Sequence, residues 1–231
     1  MTSSDKCCIL SLDGGGAKGF YTLGVLTELE AFLGAPLSKH FDLIFGTSTG
    51  SIIAALLSLG CEVEEIRQSY REHVPKIMRA KSPAEKSARL SEVGEAVLGD
   101  KTFHDVQTGL GIVSVKWRTE MPMIFKSNKS QLHGRLASFE PGFGVKLREA
   151  VEASCSAYPF FEKKSLTTAS GDNFVLIDGG FCANNPALYA LVDATGPLGF
   201  GRNDCRLISI GVGHYPEPKL GWSIGGIKTR L

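Results

Sequence analysis

A chain of 231 residues in which 25 basic and 24 acidic side chains leave a net charge of +1 is long enough for one large domain, with a core that needs no staples. The charge balance argues against an extended nucleic-acid surface, which carries a strong basic excess. Six cysteines without a C-x-x-C pair or a His/Cys cluster at zinc spacing point to reduced, packed thiols and to no metal centre.

Residues 1–6 lack the charged and apolar regions of a signal peptide, and the longest apolar runs are too short to span a bilayer. These features predict a cytoplasmic protein that meets a membrane only from outside the hydrocarbon. Cys7 to Leu12 is an apolar run of strand length, ending in Asp13-Gly14-Gly15-Gly16-Ala17-Lys18-Gly19. Leu23, Val25, Leu26, Leu29 and Leu33 then recur at helical spacing up to Gly34-Ala35-Pro36.

The glycine loop has three readings. Gly14, Gly16 and Gly19 fit G-x-G-x-x-G, but a dinucleotide fold needs an acid at the end of the next strand, and Asp42 stands at its start. A Walker loop needs Gly-Lys-Ser/Thr, and Phe20 follows Gly19. The third reading is a nest of backbone N–H groups turned toward an anion at a helix head.

Phe41 to Phe45 is a short apolar strand, Gly46-Thr47-Ser48-Thr49-Gly50 a G-x-S-x-G turn, and Ser51 to Leu57 an apolar helix. A serine at such an elbow projects its Oγ from the top of a sheet, and the next N–H, that of Thr49, is a candidate oxyanion donor. Strand, glycine loop, helix, strand, elbow and helix in succession predict a parallel sheet with helices on its faces.

From Glu62 to Leu98 the pattern predicts two or three amphipathic helices, broken near Pro75 and Pro83. The basic run Lys76 to Lys81 is either a solvated helix face or a lid toward a membrane. Met121 to Lys126 fits a strand with a proline at its start, and Lys126 to Ser130 a loop. His104 and His133 read as surface or structural residues. Val145 to Ala157 fits a helix, and Phe174 to Asp178 a buried strand ending in Asp178-Gly179-Gly180, on the rim where Ser48 projects. Pro186 suits the first turn of the next helix. Cys205 to Gly213 is one more strand and glycine turn, and the tail from His214 to Leu231 shows no helix.

Asp13-Gly-Gly-Gly-x-x-Gly19, Gly46-x-Ser48-x-Gly50 and Asp178-Gly179-Gly180 together, with Ala153 to Pro159, Ala183-Asn-Asn-Pro186 and Ser209-Ile-Gly-Val-Gly213, resemble the patatin-like phospholipases over residues 7 to 213. The resemblance implies a three-layer α/β/α fold with a mainly parallel sheet and a serine nucleophile elbow. It implies Ser48 as nucleophile, Asp178 as base, and Gly14, Gly15 and Gly16 with Thr49 as the oxyanion hole. Family domains continue with further helices after the Ser-Ile-Gly turn, so the expectation for 1–231 is one domain that is truncated or short at its C-terminal end.

The implied function is a phospholipase-type acyl hydrolase that needs no cofactor, metal or calcium and acts on membrane phospholipids. Bacterial relatives imply an anti-phage effector at the inner membrane, switched on by a small nucleotide. Two alternatives stand beside it: a Ser–His–Asp esterase using His214, and a catalytically silent lipid-binding protein on the same fold.

Overall fold

Residues 6–131 and 139–213 are described by a computed structural model. The apolar runs pair into one sheet of seven strands: β1 (Cys7–Leu12), β2 (Leu43–Thr47), β3 (Gly109–Lys116), β4 (Pro122–Lys126), β5 (Lys164–Thr167), β6 (Asn173–Asp178) and β7 (Cys205–Ile210). β7, β1, β2 and β3 run parallel, with Ile9 opposite both Leu43 and Leu207. β4, β5 and β6 pair antiparallel, so the sheet is mixed.

Side-chain alternation along the parallel strands builds the three layers. Leu10, Leu12 and Ile44 join a core with α1 (Gly19–Leu33), α2 (Thr49–Ser58), α3 (Val63–Arg79), α4 (Pro83–Leu98) and α5 (Leu147–Ser154). Their neighbours Cys7, Ile9, Leu43 and Phe45 form a second cluster. A short helix, α6 (Gly180–Ala183), follows β6, and Ala190 and Ala194 of α7 (Ala187–Thr195) close that second cluster. No helix among the described residues is long and apolar enough to cross a membrane.

The 62–98 region holds two helices, and one expected break is absent. α3 runs through Pro75. Val63, Ile66 and Tyr70 before the proline and Ile77 after it are buried. Burying such side chains gains about 1.5–3 kcal/mol each, which offsets an interior proline cost of about 3 kcal/mol. Pro83 instead starts α4 behind Ser82, whose Oγ accepts the Glu85 N–H at 3.2 Å. His104 is an exposed residue 3.7 Å from Glu140, while His133 and the tail from His214 lie outside the described residues.

The registers around β3 place the site. Ile112 faces Gly46 of β2 and Phe125 of β4, on opposite sides; Ser114 faces Met123 of β4 and Asp178 of β6. β4 therefore takes one edge of β3, and β2 and β6 share the other. They approach head-on, with Thr47 opposite Val113 and Asp178 opposite Ser114. The ends of two strands far apart in sequence become neighbours. Gly46 and Gly50 let strand and helix close on each other, since a Cβ on Gly46 would fall on the Gly50 backbone and one on Gly50 on the Leu12 carbonyl.

Phe45 is fully buried beside this junction. Phe45→Ala is expected to cost about 3–5 kcal/mol of stability, read as a lower urea midpoint at unchanged m-value.

Candidate active site

Ser48 sits between the last strand residue of β2 and the first helical residue of α2, at φ 52° and ψ −124°. A side chain other than glycine in that region costs about 1–3 kcal/mol and persists only when its surroundings hold it. Here they do. The Ser48 N–H donates to Ser154 Oγ (2.8 Å), which in turn donates to the Val113 carbonyl of β3 (2.6 Å). The Ser48 carbonyl accepts the N–H (2.8 Å) and the Oγ–H (2.7 Å) of Ser51. The next residue is fixed as well. Buried Tyr70 of α3 donates its hydroxyl to the Thr49 carbonyl (2.9 Å) and lies 2.7 Å from Thr49 Oγ1.

Ser48 Oγ donates to Asp178 Oδ2 at 2.6 Å, and the other carboxylate oxygen accepts the Gly180 N–H at 2.7 Å. The Asp178 backbone is tied to α5 and its C-terminal turn: the Asp178 N–H donates to the Ser156 carbonyl (3.0 Å) and the Gly179 N–H to that of Ser154 (3.2 Å). Ser154 thus holds the serine strand through its side chain and the aspartate strand through its backbone. Asp178 is 6% exposed. Burial pushes its carboxyl above the ordinary value, against the opposing pull of the Ser48 and Gly180 donors.

The glycine loop comes down beside the serine: a Cβ on Gly14 would stand 3.1 Å from Ser48 Cβ. Its N–H groups are not equivalent. That of Gly14 donates to the Asn184 carbonyl at 3.0 Å, which fixes the loop to the turn after α6 and removes one expected donor. Gly15 and Gly16 follow, with Gly16 in the left-handed region at φ 58°, and among the described residues neither N–H has a backbone acceptor. They and the Thr49 N–H at the head of α2 are the donors left for an oxyanion.

An apolar cavity of about 150 Å³ opens on Ser48 and Thr49 between Gly16 and Ala17 of the loop and Ile52, Val74, Ile77, Met78, Leu90 and Phe161. A smaller void of about 40 Å³ continues it between α3 and α4, sharing Ile52, Val74, Ile77 and Leu90. Cys155 also lines the cavity, but burial pushes its thiol up and keeps it protonated. A polar recess of about 690 Å³ around Asp42 and Gly109 lies at the opposite ends of the strands, away from Ser48.

The structure brings Ser48, Asp178, Thr49 and the three glycines together, while His214 lies outside the described residues. No described histidine contacts either side chain of the Ser48–Asp178 pair. Ser154 and Tyr70 escape a sequence reading. Tyr70 looks like one more apolar position of an amphipathic helix, and only the Ala153 to Pro159 run hints at Ser154.

A strained serine elbow facing a buried carboxylate, beneath a glycine loop and beside an apolar cavity, defines an α/β serine acyl hydrolase. The chain belongs to the patatin-like phospholipase family, whose description matches residues 10–191. It is 60% identical to a cUMP-AMP-activated phospholipase of Escherichia coli, over 93% of this chain and 67% of that protein. It is 30% identical to a cGAMP-activated phospholipase of Pseudomonas aeruginosa (83% of this chain, 57% of that protein) and to Patatin-T5 of Solanum tuberosum (84% and 54%). The chain thus spans about two thirds of the first relative and little more than half of the others. The crystal structure of VipD from Legionella pneumophila shares the fold, with a TM-score of 0.52 at 13% identity over 90% of this chain and 50% of that one.

Ser154→Ala removes the acceptor of the strained Ser48 N–H, and thermal unfolding should show a loss of about 1–3 kcal/mol. Asp178→Asn has the opposite sign. The folded carboxyl titrates above its unfolded value, so the stability it contributes at low pH is lost as pH rises through the folded pKa. Urea midpoints of Asp178→Asn should therefore gain on the parent protein from about pH 4 to pH 7.

Proposed function

We propose that this chain carries the catalytic machinery of a phospholipase that cleaves acyl esters of membrane phospholipids at the inner membrane surface, in response to a cyclic dinucleotide. The observation that carries the reading is the 2.6 Å hydrogen bond from Ser48 Oγ to the buried carboxylate of Asp178. In the proposed chemistry Ser48 Oγ attacks the ester carbonyl carbon while Asp178 Oδ2 accepts its proton. The N–H groups of Gly15, Gly16 and Thr49 then receive the oxyanion, a term worth about 3–4 kcal/mol for a single donor. Collapse of the tetrahedral adduct expels the lysolipid alkoxide, which takes the proton from Asp178. Water attacks the acyl-enzyme with Asp178 again as base, and the fatty acid leaves as Ser48 regains its proton.

A carboxylate of ordinary pKa is a weak base for a serine hydroxyl, and burial of Asp178 raises its basicity toward that task. The apolar walls of the cavity beside Ser48 suit an acyl chain, since they offer little to a polar substrate. The names of the Escherichia coli and Pseudomonas aeruginosa relatives favour a nucleotide-switched enzyme, and an anti-phage role fits such a switch.

Fatty-acid release from mixed phospholipid vesicles, with and without cUMP-AMP, tests the reading. Ser48→Ala and Asp178→Asn should each lose activity by about a thousandfold or more, and His214→Ala should keep it; a dead His214→Ala would replace the dyad with a triad. The required form of Asp178 is the carboxylate, so activity should fall as pH drops through its raised pKa. The midpoint is expected above the ordinary aspartate value of about 3.9.

A further inference from the structure

Beside the elbow the sheet does not stop at the level of Ser48. β3 and β6 continue past it, with Lys116 opposite Leu176, and the Trp117 N–H donates to the Val175 carbonyl at 2.8 Å. The chain then reverses between Lys116 and Met121, closed by hydrogen bonds of 2.8 and 2.9 Å between those turn residues. This turn carries Trp117, 41% exposed, and Met121, 61% exposed. The loop after α5 lies against it. Tyr158 packs on Trp117 with ring centroids 5.5 Å apart, and Lys163 Nζ lies 3.9 Å from the Trp117 centroid and 4.5 Å from that of Tyr158. Phe160 follows, 45% exposed.

Clustered large apolar rings on the turn beyond β3, with a lysine over them, gain little from facing water alone. Trp and Tyr with a lysine over their faces match the interfacial layer of a bilayer, where the rings sit among headgroups and the ammonium reaches phosphate. The crest is also continuous with the cavity: Ala157 and Phe161, which flank Tyr158 and Phe160 in the chain, line the space that holds Ser48. We propose that Trp117, Met121, Tyr158 and Phe160, with Lys163, form a docking crest for an anionic bilayer surface that brings the mouth of the Ser48 cavity onto the lipid. The inference rests on the lipid-hydrolase reading and adds the surface by which the substrate is met. Cations near a negatively charged leaflet contribute to partitioning, and the rings add buried apolar area.

The test uses the full chain carrying Ser48→Ala, which binds vesicles without consuming them. It should sediment with vesicles of phosphatidylethanolamine and phosphatidylglycerol and much less with phosphatidylcholine alone. Adding Trp117→Ser and Lys163→Glu should lower that partition by at least about fivefold. In a Trp222→Phe background Trp117 is the sole tryptophan, and its emission should shift to the blue on binding. In the chain with Ser48 restored, the same two crest substitutions should leave hydrolysis of a soluble butyrate ester unchanged, which separates docking from folding. Equal partition of the crest variant and its parent, or a parent that ignores phosphatidylglycerol, would overturn the proposal. A chain that never cleaves the soluble ester, with or without cUMP-AMP, would sink the hydrolase reading instead, and vesicle partition would still decide the crest.

Discussion

Ser48 occupies a backbone conformation that an L-residue avoids, and the surrounding hydrogen bonds hold it there. Its N–H donates to Ser154, itself anchored on β3, and its carbonyl accepts from Ser51 in the first turn of α2. The same arrangement fixes the aim of Oγ. With φ and ψ set by the elbow, the hydroxyl projects off the end of β2, where β6 arrives from the opposite direction with Asp178 as its last residue. Relaxing the turn would move Oγ away from its acceptor, so the strain and the dyad geometry are two aspects of one constraint.

The electrostatics of the pair follow from that placement. A carboxylate buried at the end of a strand inside the sheet loses water, and the loss raises the free energy of its charged form. Two short hydrogen bonds offset part of this cost, one from Ser48 Oγ and one from the Gly180 N–H. The pair therefore sets a carboxylate whose burial favours its protonated form next to a hydroxyl that donates to it. The N–H groups around Ser48 that lack a backbone acceptor among the described residues lie on separate chain segments, the glycine loop after β1 and the head of α2, held in place by Asn184 and Tyr70.

The apolar cavity beside Ser48 is built from different material. Ile77 and Met78 of α3 and Leu90 of α4 wall the space beside Ser48, on helices whose outer faces carry exposed ion pairs such as Lys76 with Glu72 and Arg89 with Glu92. Such pairs contribute little stability. What holds these helices is their buried stripe, strong enough to carry α3 through Pro75. The Ser48–Asp178 end thus rests on the sheet and its hydrogen bonds, and the apolar end of the cavity on side-chain packing between helices.

Much of this was legible in the residues. The elbow, the glycine loop and the strand ending in Asp178 are local arrangements in which apolar runs, small residues and one polar group fix the backbone over a few positions. The alternation that sends Leu10 and Ile44 to one face and Ile9 and Phe45 to the other is equally local. By itself the sequence determined the strands β1, β2, β4, β6 and β7, the sharp turns, and the placing of a serine and an aspartate at two strand ends; β3 and β5 carry no comparable signal and emerged only from the fold. Tertiary structure alone decided that β6 runs antiparallel and shares an edge of β3 with β2, that Gly14 spends its N–H on Asn184, and that Ser154 and Tyr70 lock the elbow. These depend on hydrogen bonds between groups separated by up to 170 residues. No short-range pattern encodes such pairings, because they form only when the whole sheet has chosen its register.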